Sequence, residues 1–472
     1  MRAKQIAPSD LKGAPVTFTT LKSKSKNDKN LAYKIQVYVD DCTGCGVCVQ
    51  TCPAKTKALS FSTLEEEKAA GEKSNYTFFN ELPENVLDGV DPNSLKGAMF
   101  KQPLFECSGA CAGCGETPYV RIMSQLYGSR MIAANATGCS SIYGGTFPTM
   151  PYCQDKNGHG PAWANSLFED NAEYGFGMRL AVDSNRAQLK MNVEKLLACD
   201  IQNQDLAGAL KDCMALWDDV TDTAIDAQMK VKEQIAAAIK TCECSCRPEL
   251  EKIHELQDYF VDKSVWIIGG DGWANDIGYG GLDHVVASGK NVNILVVDTE
   301  VYSNTGGQAS KATPIAAVAK FANGGMRKPK KNLGFMCMIY GDVYVASIAL
   351  GANRNQTLKA FQEAGAHKGP SIILAYSPCI AHGIDMMKTQ ERQKLAVDCG
   401  YWPLYRYNPA LETPFIWETK EPTGNFQEFI KGERRYTALK KTAPDMAEEL
   451  YAAAEVDAKK RFKFFKNIGS IM

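Results

Sequence analysis

The sequence predicts an α/β protein built on a mostly parallel sheet covered by helices, preceded by a small cysteine-rich unit. Three observations carry that expectation. Apolar strand-like runs alternate with helix-patterned stretches from about residue 103 to 415, the order that joins parallel strands through crossover helices. Two of those runs, Val265-Trp-Ile-Ile268 and Asn291-Val-Asn-Ile-Leu-Val-Val297, end abruptly in polar turns. Ahead of them, Cys42, Cys45, Cys48 and Cys52 form one compact run.

Composition narrows the class. The chain has 472 residues, 45% hydrophobic and 23% charged, ordinary for a globular protein of about two to four domains. A net charge of −1 offers no basic surface for nucleic acid. No apolar run reaches membrane-spanning length and Met1-Arg-Ala-Lys-Gln-Ile-Ala7 lacks the apolar core of a signal peptide, so a cytoplasmic protein with no membrane partner is expected. Seventeen cysteines, many in tight clusters, then point to metal or redox chemistry rather than disulfides.

Residues 1 to about 35 are polar and lysine-rich and read as a flexible or extended lead-in. The run Cys42-Thr-Gly-Cys45-Gly-Val-Cys48-Val-Gln-Thr-Cys52-Pro53 follows. Four thiolates at this spacing, with glycines for a tight wrap and a closing proline, match the bacterial ferredoxin pattern that holds a 4Fe-4S cluster. In two-cluster ferredoxins the cysteine before the proline serves the other cluster, and the chain has one such motif. Either Cys52 closes its own cluster, or a partner motif lies on other polypeptide. Residues 61–102 are charged and irregular and read as a connector, with a short helix at Leu64 to Ala70.

Cys111 and Cys114 have metal-ligand spacing ahead of a helix-patterned stretch from Pro118 to Tyr127; zinc, a redox dithiol or iron–sulfur would all suit them. A strand over Arg130 to Asn135 leads to Cys139, placed where open α/β sheets bind ligands, although a lone thiol there reads more simply as core. The stretch Gly158 to Gly175, with His159, suits a cofactor-lining loop running into a helix. Residues 185 to about 258 are helical by pattern and form an insertion, with Cys242, Cys244 and Cys246 near its end and no assigned role.

The centre of the chain is Gly269-Gly-Asp-Gly-Trp-Ala-Asn275, with Asp298-Thr-Glu-Val-Tyr-Ser-Asn304 about one βαβ unit later. Gly270 and Gly272 bring backbone close to a ligand, a phosphate-cradle position. Asp271 offers a hard carboxylate oxygen, and Thr299, Val301 and Asn304 add hydroxyl, carbonyl and amide oxygens of the kind Mg²⁺ prefers. A loop from Thr305 to Pro314, a helix near Ile315 to Phe321, a strand over Leu333 to Tyr340, a helix near Asn353 to Glu363 and a strand over Ser371 to Tyr376 continue the alternation. That last strand ends near Cys379 and His382, so Cys111, Cys114, Cys139 and Cys379 are expected to converge. His254, His284 and His367, and Cys107, Cys153, Cys199, Cys213, Cys337 and Cys399, read as structural. Residues 416–472 read as a helical tail with a basic end.

These stretches together resemble the C-terminal part of the pyruvate:ferredoxin (flavodoxin) oxidoreductase family, on Phe105 to Tyr119, Ala134 to Ser141, Gly160 to Gly177, Gly269 to Pro314 and Gly400 to Tyr407. The resemblance implies residues 1–60 as a partial ferredoxin-like 4Fe-4S domain and 103–415 as a thiamine diphosphate-binding fold. It implies a cubane cluster on Cys111, Cys114, Cys139 and Cys379 and a remote one on Cys42, Cys45 and Cys48, with Cys52 beside them. Mg²⁺ would sit on Asp271, Thr299 and the Val301 carbonyl. The cofactor would lie against Glu116, Cys139, Gly270, Asp271, Gly272, Trp273, Thr299, Glu300, Val301, Tyr302, Ser303 and Asn304. The implied reaction is oxidative decarboxylation of pyruvate with coenzyme A, electrons passing through 4Fe-4S clusters to ferredoxin or flavodoxin, in a homodimeric complete enzyme. The domains that bring the activating glutamate and pyruvate contacts in that family are absent here, so no catalytic residue is assigned and a separate N-terminal portion or subunit is an expected partner. A related 2-oxoacid oxidoreductase and a non-catalytic electron-transfer module are the alternatives.

Overall fold

The computed structural model describes residues 1–24, 30–84, 89–146, 150–199, 203–242 and 245–469. Its N-terminal strands β1 (Arg2–Ile6), β2 (Leu21–Lys22) and β3 (Ala32–Gln36) form an antiparallel sheet in the order β1-β3-β2. The described part of the lead-in contributes these paired strands, with Ile6, Phe18 and Ala32 buried against Phe79 and Leu82, while residues 25–29 of the lysine-rich run lie outside the described residues. Lys4 and Arg2 are also buried there, both paired to Glu84 at 2.8 and 2.7 Å. Three helices, Leu64–Ala69, Glu72–Glu81 and Leu95–Phe100, occupy the connector. Thr63 and Glu66 cap the first reciprocally, each accepting the other's backbone N–H.

An eight-stranded sheet forms the body, in the order β11-β10-β8-β9-β7-β6-β4-β5. Its strands are β4 (Met131–Asn135), β5 (Ala162–Asn165), β6 (Ser264–Gly270), β7 (Asn293–Asp298), β8 (Tyr344–Ile348), β9 (Ser371–Tyr376), β10 (Tyr405–Tyr407) and β11 (Phe415–Trp417). β4 to β9 run parallel, and β10 and β11 add an antiparallel edge. Apolar side chains on the two faces fall into separate cores, one around Ile267, Ile294 and Ile372, the other around Trp266, Leu295 and Ile373. Alternate residues of β6, β7 and β9 therefore face opposite layers, which is why these strands read as continuous apolar runs. Helices Asn171–Ala198, Gln204–Ala215, Asp222–Thr241 and Arg247–Leu256 build the insertion around a third core. The tail folds into the helices Phe426–Lys431, Arg434–Thr437, Leu439–Thr442 and Pro444–Ile468, and its apolar face joins the first core.

Two elements differ from expectation. Leu333–Met338 is a helix, capped by the Asn332 side chain on the Phe335 N–H, and the strand begins only at Tyr344. An apolar run bounded by an N-capping asparagine and containing unbranched Leu, Met and Cys has no strong β preference. Ile315 to Phe321 is not helical: Ala316 and Phe321 have φ of 71° and 67°, and the backbone bonds of the segment go to Met326, Arg435 and Gly307. Cys242 is engaged in a disulfide rather than free for a metal, Cys246 is buried in the insertion core, and Cys244 lies outside the described residues.

Candidate cofactor and cluster site

The register of the sheet builds the site. Gly270 pairs with Val297, so Asp271 and Asp298 leave adjacent parallel strands side by side at the carboxyl edge. The same edge receives the turn after β4, with Thr137, Gly138 and Cys139, and the turn after β9, with Cys379. That is where open α/β sheets place ligands. A cavity of about 240 Å³ opens there, lined by both glycines of the turn, the Asp271 and Thr299 oxygens, and Glu116 and Cys139 opposite.

The oxygen side is tightly ordered. Asp271 Oδ1 accepts from the Thr299 N–H at 3.1 Å and hydroxyl at 3.0 Å, and Oδ2 accepts from Ser310 at 2.7 Å. Thr299 Oγ1 also stands 3.0 Å from the Val301 carbonyl. Burial, reinforced by the charge of Asp298, pushes Asp271 up to about 7. A carboxyl, a hydroxyl and a carbonyl converging in this way are hard oxygen donors, and a divalent cation would replace the proton that burial favours. Gly272 is obligatory, since a Cβ there would stand 2.2 Å from the Tyr302 ring, whereas Gly270 and Gly138 face open space. Tyr302 is held by Asp276 at 2.9 Å, and Trp273 packs on Gly269 and Gly278.

Across the cavity, Glu116 is buried with one carboxyl oxygen unpartnered among the described residues, and burial raises it to about 7. An unmet acceptor of this kind fits a ligand that brings a donor. Cys139 lies within electrostatic reach of Cys111 and Cys379, and Cys114 of Cys379. Burial raises Cys139 to about 12 and Cys379 to about 11, so these thiols would ionise only with a metal to hold the charge. Among the described residues no three His, Cys, Asp or Glu side chains stand close enough for a single metal ion.

In the segment from Cys42 to Cys52, burial raises the Cys48 thiol, with the charges of Cys45 and Cys42 adding to it, and Cys52 accepts the Ala58 N–H at 3.3 Å. Met386 and Met387, between β9 and the helix Thr389–Asp398, separate this loop from Cys111 and Cys114: a Cβ on Gly46 would meet Met387, and one on Gly113 would meet Met386.

Of the expected cofactor residues, Glu300 does not line the cavity. Its carboxylate sits in a buried ion network, 3.1 Å from Lys330 and 2.9 Å from Arg435, with the Tyr401 hydroxyl also donating to it. Lys330 reaches Asp298 at 2.6 Å, and Arg435 is anchored by Glu433 at 2.7 Å. Burial would raise Glu300, but Lys330 and Arg435 outweigh it and hold the carboxyl down to about 2. Glu300 has φ of 60°, a strained position that this network maintains, and it lies between Thr299 and Val301. Sequence reading also misses Ser310, Thr137, Ser140 and Phe168, which are ordinary loop residues until folding brings them to the cavity. His159 pairs with Asp155 outside the cavity; His284 packs on Phe176, and His254 and His367 make local hydrogen bonds.

The family model of the thiamine pyrophosphate enzymes' C-terminal TPP binding domain matches residues 254–375, the segment that carries β6, β7, β8 and nearly all of β9. The fold and this segment define a thiamine pyrophosphate enzyme domain. The chain is 52% identical over 465 residues to the pyruvate:ferredoxin oxidoreductase of Moorella thermoacetica, covering 98% of the chain and 39% of that relative. It is 46% identical over 483 residues to the pyruvate-flavodoxin oxidoreductase of Nostoc sp., covering 100% of the chain and 40% of that relative. A solved 2-oxoglutarate:ferredoxin oxidoreductase from Magnetococcus marinus overlaps 63% of the chain and 71% of its own at 17% identity and a TM-score of 0.35. The chain is similar over nearly all of its length to these pyruvate:ferredoxin and pyruvate-flavodoxin oxidoreductases and spans about two fifths of theirs.

Proposed function

We propose that the chain forms the cofactor-holding and electron-collecting part of a pyruvate:ferredoxin or pyruvate:flavodoxin oxidoreductase, which converts pyruvate and coenzyme A to acetyl-CoA and CO₂. The observation that carries this reading is the meeting, around one cavity, of the Asp271–Thr299–Val301 oxygens with the Cys139 thiol and its neighbours. Asp271, Thr299 and the Val301 carbonyl would hold Mg²⁺, with Gly270 and Gly272 admitting the diphosphate and Asn304 beside it. Glu116, with its unpartnered carboxyl oxygen at the cavity, would contact the cofactor. Thiamine diphosphate, when bound, supplies an electron sink for decarboxylation of a 2-oxoacid. Cys111, Cys114, Cys139 and Cys379 would hold a 4Fe-4S cluster next to it, and the Cys42, Cys45, Cys48 and Cys52 loop a second. Such clusters would supply one-electron carriers towards ferredoxin or flavodoxin, with burial and hydrogen bonds to the sulfurs setting their potentials.

Pyruvate recognition is assigned to the part of the relatives' length that this chain does not span, in a cytoplasmic, homodimeric whole. Among the described residues no helix is long and apolar enough to cross a membrane. The test is anaerobic reconstitution with iron and sulfide followed by calorimetric titration with thiamine diphosphate and Mg²⁺. Stoichiometric, Mg²⁺-dependent binding to a brown protein supports the reading. A colourless protein that binds neither, or steady pyruvate-dependent dye reduction by the chain alone, overturns it or its division of labour.

A further inference from the structure

His382 is the one fully buried histidine among the described residues, its ring stacked on Tyr376 at 6.5 Å. Its Nε2 lies 2.7 Å from the Thr299 carbonyl, and its Nδ1 faces the Cys379 N–H at 3.4 Å. A carbonyl accepts and an N–H donates, so the imidazole is neutral with its hydrogen on Nε2. One rigid ring thus spans from a residue of the oxygen set to a residue of the thiol set. Ser303 makes a second span: its hydroxyl stands 3.4 Å from Thr299 Oγ1 and 3.7 Å from Cys139 Sγ.

We propose that His382 and Ser303 couple the redox state of a cluster on the four thiols to the affinity of the Thr299 side for Mg²⁺ and thiamine diphosphate. This rests on the cofactor reading above. His382 acts here as a positioning residue, since it touches neither substrate nor cavity. Adding an electron makes the thiolate sulfurs better acceptors, because hydrogen bonds to a more negative acceptor strengthen. Ser303 then turns towards sulfur and away from Thr299 Oγ1, while His382 transmits any movement of the Cys379 backbone to the Thr299 carbonyl. Linkage requires the effect to be reciprocal, so cofactor binding shifts the cluster potential by the same factor.

The test uses the whole chain reconstituted with iron and sulfide. Mg²⁺–thiamine diphosphate is titrated by calorimetry into oxidised protein and into protein reduced by dithionite, and the cluster potential is read by electron paramagnetic resonance with and without cofactor. The expected wild-type affinity ratio between the two redox states is about fivefold or more, matched by the potential shift. His382→Phe keeps a ring on Tyr376 but removes both hydrogen bonds, and Ser303→Ala removes the hydroxyl; each is expected to shrink the ratio. His382→Gln, which retains a donor and an acceptor, is expected to restore part of it. Direct attraction between cluster and diphosphate charges persists in every variant, so the difference between variants isolates the hydrogen-bonded spans. A wild-type ratio of one, or a full ratio in both His382→Phe and Ser303→Ala, overturns the proposal while leaving the cofactor reading intact. Wild-type protein that takes up no iron or no thiamine diphosphate overturns both. If His382→Phe does not fold, the Ser303→Ala comparison decides.

Discussion

Cys42, Cys45 and Cys52 lie in the turns on either side of the short helix Val47–Gln50 that carries Cys48, whereas Cys111, Cys114, Cys139 and Cys379 are gathered from a loop before the sheet and the turns after β4 and β9. The first group is shaped by its own backbone: Gly44 and Gly46 have φ of 66° and 72°, and N–H groups led by that of Ala58 lower the pKa of Cys52. The second is shaped by the sheet, and burial raises Cys114, Cys139 and Cys379. The difference is one of dependence: the local group takes its shape from its own stretch of backbone. The distributed group exists only when β4, β6, β7 and β9 are in register, and it shares that condition with the Asp271 pocket.

The sharpest way to separate the two is Asp271→Ala. Thiamine diphosphate affinity in the presence of Mg²⁺ should fall by at least ~100-fold, the upper end of what loss of even an outer-shell metal partner costs. Iron at both cysteine groups should remain. Calorimetric titration with a parallel iron assay checks this, and loss of iron would show that the two centres are not separable.

On stability, the largest effect is expected for Glu300→Gln, which leaves Lys330 and Arg435 buried without their shared carboxylate. A cost of about 3–5 kcal/mol at neutral pH is expected from breaking a buried ion pair. The folded carboxyl lies near 2, below the ordinary value of 4.5, so its stabilisation is present above pH 4.5 and fades as pH falls towards 2. The variant and the wild type should therefore converge in denaturant unfolding between pH 4.5 and 2. A gap that stays constant through that window would mean the charge is not what holds Glu300.

Gly272→Ala drives a Cβ to 2.2 Å from the Tyr302 ring and should cost about 1–3 kcal/mol, with weaker thiamine diphosphate binding. The smallest effect is expected for Gly46→Ala, at φ 72° with the mobile ends of Met387 and Phe61 at 2.8 Å: about 1 kcal/mol from the left-handed backbone. It should lower iron at the local group while thiamine diphosphate affinity stays at the wild-type value. A drop in that affinity would show that the loop and the pocket form one mechanical unit.

Much of this was legible in the chain. The strands at β4, β6, β7 and β9 announce themselves because a parallel strand buried on both faces must be apolar throughout. The Gly-Asp-Gly turn and the Asp298 to Asn304 segment are readable because close backbone approach and hard oxygen donors demand particular residues. Leu333 to Tyr340 was misread because a short apolar run carries no period long enough to separate helix from strand. Ile315 to Phe321 was misread because its backbone partners, Arg435 and Met326 among them, lie elsewhere in the chain.

What the sequence determined by itself is local: the ferredoxin-type spacing, the glycine turn, and the identity of the oxygen and sulfur donors. Only tertiary structure decided that Glu300 turns into an ion network with a helix of the tail, that Ser310 holds Asp271, and that His382 joins Thr299 to Cys379. Spacing along a chain constrains neighbours within a turn or two. A buried carboxylate, by contrast, takes its partners from whichever cations the fold brings within reach, and here these are Lys330 and, from the C-terminal tail, Arg435.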